Sequence, residues 1–455
     1  MKLSSSLLLL SSLSLSTAAL IPSRSPFRTL AKRANATVDP MYQLSNDSDF
    51  HFELLRVLSM APYEGSDIGE TLVAAKQIIP GSYESFYSAF FTLANRVLNV
   101  STSIDATRFP VSARNAWFKT SSYFRSADFF LHGNWSDPRI NSLWDSQLSA
   151  FDAALSLMPK PIRGERITLH SANTTNSTAF SIPAVFYPSG KPGPRPTIIL
   201  CNGYDGSQEE MYHFWVKAIV ERGMNAITYE GPGQPTVRRQ QNLGFIPNWE
   251  AVVTPVVDYA LTRREVSPSQ IGILGFSFGG YLAPRAAAFE HRLAAVLAID
   301  GEYNTGPAIL SQFPAALQAA FNASDADAFN KGTEDILSSP EAPTEVKWAI
   351  QQGMWAFKEA SPYNWMKNLQ AYTLVGITDK IQAPVFVADA ENDIFFPGQG
   401  KILAEHLGDL ATYHYFTGAE GAGAHCSLGA EVLQTQVALD WFEETVKYTE
   451  KQGCS

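Results

Sequence analysis

From about residue 41 to 160, apolar positions recur at helical spacing, most clearly across 85–98, 113–131 and 141–157. No β-rich run interrupts them, so this stretch predicts an all-helical N-terminal cap, 41–162. Past residue 163 the pattern changes to short apolar runs. Those at 166–169 and 182–186 predict an opening antiparallel pair, with Pro183 marking the second as an edge or irregular strand. The unbroken run 197–200 suits an interior strand. Further runs at 225–229, 270–274, 294–299, 384–388 and 412–416 bring the sheet to eight strands. Helical patterns over 209–222, 249–262, 281–290 and 430–447 alternate with them. That alternation predicts an α/β fold, a mostly parallel sheet covered on both faces. The core is split into 163–300 and 384–449. Between its halves lies a mainly helical insertion, 301–383, broken at Ser338-Ser339-Pro340 and Ser361-Pro362. It is longer than a connection between neighbouring strands requires, and reads as a lid.

Composition narrows the setting. The 455 residues are 45% hydrophobic, enough for one large domain with a cap. Net charge is −10 with no long basic run, which argues against nucleic acid or anionic membrane as partners. Lys2, a serine-broken apolar stretch at 7–15 and Thr17-Ala18-Ala19 read as a signal peptide, 1–19, too short for an integral span. Residues 20–40 read as a disordered or processed leader, with Lys32-Arg33 a candidate second cleavage site. Sequons at Asn35, Asn46, Asn99, Asn134, Asn173, Asn176 and Asn322 agree with a secreted or secretory-lumen glycoprotein. Three cysteines make no disulfide scaffold; a Cys201–Cys426 bridge stays open beside the plainer reading of two buried thiols and a loose Cys454. No cluster has metal-ligand spacing, and neither metal nor cofactor is expected. The cap aromatics Phe124, Phe129 and Trp135 leave a homodimer face open, with core packing their simpler use.

The chemistry centres on Gly275-Phe276-Ser277-Phe278-Gly279-Gly280, a G-x-S-x-G pattern between a strand run and a helix. Small residues two before and two after Ser277 permit a sharp turn. That turn presents the hydroxyl at the sheet's C-terminal edge and leaves the Phe278 amide free for an oxyanion. The alternative is an ordinary glycine-rich turn. A serine needs a base, and of eight histidines only His425 lies in a glycine-rich loop just past the last strand. The orienting acid is expected in Asp389-Ala390-Glu391-Asn392-Asp393. Asp389 sits too near the strand, Glu391 is an alternative, and Asp393 is preferred because it lies on the loop proper. The second oxyanion donor is expected in Asn202-Gly203-Tyr204-Asp205-Gly206, as the Tyr204 amide. Glu230-Gly231-Pro232-Gly233-Gln234 reads as a structural turn. Asp300 and Glu302, after the strand that follows the elbow, are candidate substrate contacts or loop anchors.

Taken together, these segments, with Glu391 through Gln399 and Gly423-Ala424-His425, resemble one α/β-hydrolase family. That family includes 2,6-dihydroxypseudooxynicotine hydrolase and fungal hydrolases that shorten polyketide precursors or belong to secondary-metabolite clusters. The segment Ser112-Ala113-Arg114 through Phe129 resembles its helical cap. The resemblance implies Ser277, Asp393 and His425 as a triad, and a small-molecule substrate enclosed between cap and sheet. It also implies cleavage of an ester or of a carbon–carbon bond beside a ketone. The secretory leader departs from many relatives. A peptidase or carboxylesterase of the same fold, and a non-catalytic binding protein, are the alternatives.

Overall fold

A computed structural model of the chain describes residues 40–171 and 179–448. The signal peptide, the leader up to residue 39, Lys32-Arg33, Asn35, Asn173, Asn176 and Cys454 lie outside the described residues.

Five helices come first: α1 (Ser48–Ser59), α2 (Ile68–Ala75), α3 (Tyr83–Ser103), α4 (Pro110–Asp128) and α5 (Arg139–Ser156). Asp47, Asp67 and Ser82 each start one of them by accepting first-turn amides. α3 buries Phe86, Phe90, Leu93 and Val97 along one stripe, and α4 packs between α3 and α5. Phe124 and Phe129 are buried, whereas Trp135 is 40% exposed, so two of the three named cap aromatics fill core. Ten of the twelve residues of α1 are buried, its polar stripe of Asp49, Glu53 and Arg56 included.

The sheet comprises β1 (Glu165–His170), β2 (Ser181–Tyr187), β3 (Arg195–Cys201), β4 (Asn225–Tyr229), β5 (Val266–Phe276), β6 (Ala295–Ile299), β7 (Val385–Ala390) and β8 (Ala411–Phe416). Its order is β1-β2-β4-β3-β5-β6-β7-β8, antiparallel only where β2 meets β1 and β4. β4, β6 and β7 are buried throughout, which is why they read as unbroken apolar runs. One expectation is corrected: β2 is not an edge strand. Its ladder to β4 begins at Ala184, and the Pro183 carbonyl accepts the Glu230 amide just beyond it. The missing proline donor therefore falls just beyond the β2–β4 ladder and interrupts none of its pairs.

Connecting helices are α6 (Lys217–Glu221, after a π-helical turn at Tyr212–Val216), α7 (Pro235–Gln241), α8 (Glu250–Thr262) and α9 (Gly279–Ala287). The insertion forms α10 (Thr305–Leu310), α11 (Ala315–Asn322), α12 (Ala326–Ser338), α13 (Thr344–Phe357) and α14 (Pro362–Leu369). α15 (Gln399–Leu407) and α16 (Glu431–Thr445) complete the core. α13 packs on α1, so insertion and cap meet.

Cys201 and Cys426 are buried free thiols, not a bridge. Asn46, Asn99, Asn134 and Asn322 are exposed. Among the described residues no helix is long and apolar enough to cross a membrane.

Candidate active site

Because β3, β5, β6 and β7 are successive neighbours, the loops after them open at one edge of the sheet. Ser277 follows β5 with φ of 62°, the backbone strain expected at a nucleophile elbow. The Ser277 amide donates to Ile299 O at 3.1 Å, and the Gly280 amide to Ser277 O at 2.6 Å. A Cβ at Gly275 would lie 1.8 Å from Gly279 O, so only glycine lets the turn close this tightly. His425, from the loop after β8, is buried and brings Nε2 to 2.8 Å from Ser277 Oγ.

Two carboxylates approach the other ring nitrogen. Asp393, after β7, holds Oδ1 3.1 Å from His425 Nδ1. The same oxygen accepts the amides of Phe395 at 2.7 Å and Phe396 at 3.0 Å. Asp300, after β6, holds Oδ2 2.8 Å from the same Nδ1 and also accepts the Cys426 amide. Both contacts are at ion-pair distance, yet neither oxygen lies on the N–H axis at hydrogen-bond geometry. Asp389 and Glu391 turn elsewhere, to Tyr413 Oη at 2.9 Å and the Gly418 amide at 2.7 Å.

These groups set one another's proton affinity. Burial opposes a charged His425, but the carboxylates of Asp393 and Asp300 outweigh it and hold the imidazole pKa well above 6.5. Burial also works against an ionised Asp393; the adjacent His425 and the two amides prevail, and its pKa is lowered. In Asp300 burial wins over His425, and the pKa is raised.

The loop after β3 is clamped from three sides. Asn202 Oδ1 accepts the Gly203 amide at 2.8 Å, and Gln234 Nε2 donates to Asn202 O at 2.6 Å. Gln352 Nε2 of α13 donates to Tyr204 O at 3.1 Å. The Glu230 turn supports this clamp, since Glu230 accepts the Gln208 and Thr236 amides. Among the described hydrogen bonds neither the Tyr204 nor the Phe278 amide donates.

Over this edge lies a cavity of about 760 Å³, walled by Phe52, Phe278, Trp348, Trp365, Leu369 and Phe395. Ser277 and His425 line its floor. Asp300 and Glu302 do not line it, so their expected contact with substrate is revised. Asp300 sits behind the imidazole, and Glu302 is buried, accepting Thr305 Oγ1 at 2.8 Å. Two charged residues of the wall escaped sequence reasoning in this role, Arg56 of α1 and Asp205. They pair at 2.5 Å, and Arg56 also reaches Glu210 at 3.1 Å. Arg56 falls at helical spacing with Asp49 and Glu53, a polar face that the sequence would place in solvent and the structure buries. A second cavity of about 570 Å³ inside the insertion shares Ile309, Ala349, Trp365 and Phe395 with the first.

Asp300, His425 and Cys426 bring one potential ligand atom each within 4.8 Å of one another. The donors suit a metal poorly. Burial pushes the Cys426 thiol up to about 12, far from the thiolate a metal needs.

No family model matches the chain. Curated relatives do, over almost its whole length. It is 29% identical over 418 residues to hydrolase LUC6 of a Fusarium species, covering 89% of this chain and 98% of that one. It is 29% identical over 377 residues to alpha/beta hydrolase psoB of Aspergillus fumigatus, covering 79% and 81%. The solved 2,6-dihydroxy-pseudo-oxynicotine hydrolase shares the fold, with a TM-score of 0.65 at 19% identity over 86% of this chain and 95% of that one. With this sheet topology and these relatives, the chain has the α/β-hydrolase fold and is similar to the fungal hydrolases it matches.

Proposed function

We propose that the protein is a serine hydrolase working through an acyl-enzyme. The 2.8 Å approach of His425 Nε2 to Ser277 Oγ carries this reading. Ser277 Oγ bonds to a substrate carbonyl carbon as its proton passes to Nε2. The Phe278 and Tyr204 amides, both without another partner, receive the oxyanion. Asp393 orients the imidazole and balances its charge. Collapse of the tetrahedral adduct expels an alcohol or a ketone-stabilised carbanion, which takes the proton from Nε2. Water, deprotonated by His425 in turn, then releases the acid and restores Ser277.

The walls support a substrate class. Beside Ser277, His425 and Cys426 they are mainly aromatic and aliphatic, with Asn202, Thr305 and the Arg56–Asp205 pair the polar exceptions. Such a cavity favours an apolar ester or β-keto compound of polyketide type over a charged peptide. The leader and the exposed sequons support action in the secretory route.

Fluorophosphonate labelling tests the reaction, and mass spectrometry of products from matched esters and β-diketones tests the substrate class. Label on Ser277 with turnover of either class is the expected result. Absence of label on folded wild type removes the serine mechanism; label without turnover of either removes the substrate class.

The adjoining lid cavity bears on substrate length. Ala349 is the smallest of the four residues shared by both cavities. Ala349→Phe should narrow the boundary between the two cavities and raise KM roughly tenfold for long-chain acyl esters, about the worth of one or two buried methylenes, while sparing acetyl esters. A parallel rise for both lengths would show that the second cavity holds no part of the substrate.

A further inference from the structure

His425 offers one Nδ1–H, and two buried acids face it. We propose that Asp300 is a second positioning carboxylate for His425, sharing with Asp393 the stabilisation of the imidazolium formed when Ser277 attacks. This rests on the serine mechanism above.

The geometry favours Asp300 at least as much as Asp393. Its oxygen stands at 2.8 Å against 3.1 Å. It is also held rigidly. Asp300 has φ of 56°, a conformation that non-glycine residues adopt only when their surroundings enforce it. The next amide, Gly301, donates to Ala388 O at 3.1 Å and ties the end of β6 to β7. A Cβ on Gly280 would come within 2.2 Å of Asp300 O, so the turn after the elbow packs directly on this residue.

A loop anchor alone does not account for the contact. The Cys426 amide satisfies Oδ2 in part, but Oδ1 is buried without a partner. Burial disfavours the charge on Asp300, and the imidazolium at 2.8 Å is the cation placed to stabilise it. The other titratable groups that bear on the pair are Glu302 past β6, Asp389 of β7, Asp393 after it and the Cys426 thiol, while Arg56 of α1, paired to Asp205, lines the same cavity. The raised proton affinity of Asp300 and the lowered one of Asp393 fit two acids competing for a single positive partner.

The test is the rate of fluorophosphonate labelling of Ser277 against pH, in wild type, Asp300→Asn, Asp393→Asn and the double variant. His425 must be neutral to accept a proton, so the wild-type rate should climb along a limb above pH 6.5. Asparagine keeps an acceptor for the Cys426 amide but removes the charge. Asp300→Asn should therefore move the limb to lower pH, a shift that loss of a mere anchor would not produce. Losing the only acid of such a triad costs about 10⁴-fold, so two acids sharing the work predict losses of about 100-fold for each single variant and about 10⁴-fold for both. A wild-type limb and plateau in Asp300→Asn would overturn the proposal. So would a full ~10⁴-fold loss in Asp393→Asn alone, which decides the matter even if Asp300→Asn does not fold. Wild type unlabelled at Ser277 would instead remove the serine mechanism on which the proposal stands.

Discussion

Ser277→Ala should lower kcat by about 10⁶-fold and leave KM within a few-fold of wild type, because the members of the proposed triad would act as a unit while the cavity walls remain. The hydroxyl is the only atom removed. The elbow is held by backbone contacts from Ser277 to Ile299 and Gly280, which alanine preserves. The melting temperature should therefore barely change. His425→Ala should cost about as much, and the double variant no more than either alone, since a nucleophile without a base and a base without a nucleophile are equally idle. Single-turnover kinetics on an activated ester measures all three. A Ser277→Ala enzyme within tenfold of wild type would mean that another group performs the attack. Multiplicative losses in the double variant would mean that the two residues act in separate steps.

The elbow was the most legible part of the sequence because a local rule writes it: a strand, two glycines and a helix fix where Ser277 must lie. His425 could be read from chain order, as could the sheet from its apolar runs. The acid was legible only to the level of a loop. Order along the chain favours a residue after β7, and Asp393 is there. It says nothing of Asp300, which meets the imidazole across 125 residues of chain because β6 lies between β5 and β7 in the sheet. Adjacency of strands is a tertiary fact, and Asp300-Gly301 taken alone is only a turn. Pro183 misled for a similar reason. Proline forbids a ladder bond at its own position, but whether the strand is an edge depends on where its partner's ladder begins.

Burial hid the cap's share of the site. Helix α1 supplies Phe52 and Arg56 to the cavity, yet its polar face of Asp49, Glu53 and Arg56 is as buried as its apolar one, so the pattern along the chain does not reveal that this face meets the core. Arg56 and Arg125 of the cap reach Asp205 and Glu210 of the core, with Glu53 completing the group. These paired charges join the cap to the loop that also carries Tyr204. Cap, loop and lid are thereby fixed to one another around the candidate oxyanion donors. Periodicity along a chain cannot express such a three-way contact.

That fixed loop yields the second large effect. Gly203→Ala should lower kcat by roughly 10²- to 10³-fold, the loss typical of one oxyanion donor. Its Cβ would stand 2.6 Å from the Phe278 amide nitrogen, 2.9 Å from Phe276 O and 2.9 Å from Ser277 Cβ. Two of the three obstacles are backbone, which cannot swing aside as a side chain does. Either the elbow or the loop must retreat, and either movement separates the Phe278 and Tyr204 amides. Gly203 is not among the glycines with positive φ, so alanine meets a contact there, not a forbidden backbone. Gly193→Ala is the matching control: φ is 80° and nothing lies within 4 Å of its would-be Cβ. It should cost stability without touching kcat. Steady-state kinetics and thermal melts of the two variants separate the effects. Wild-type kcat in a folded Gly203→Ala enzyme would show that the oxyanion is held by donors other than this pair of amides.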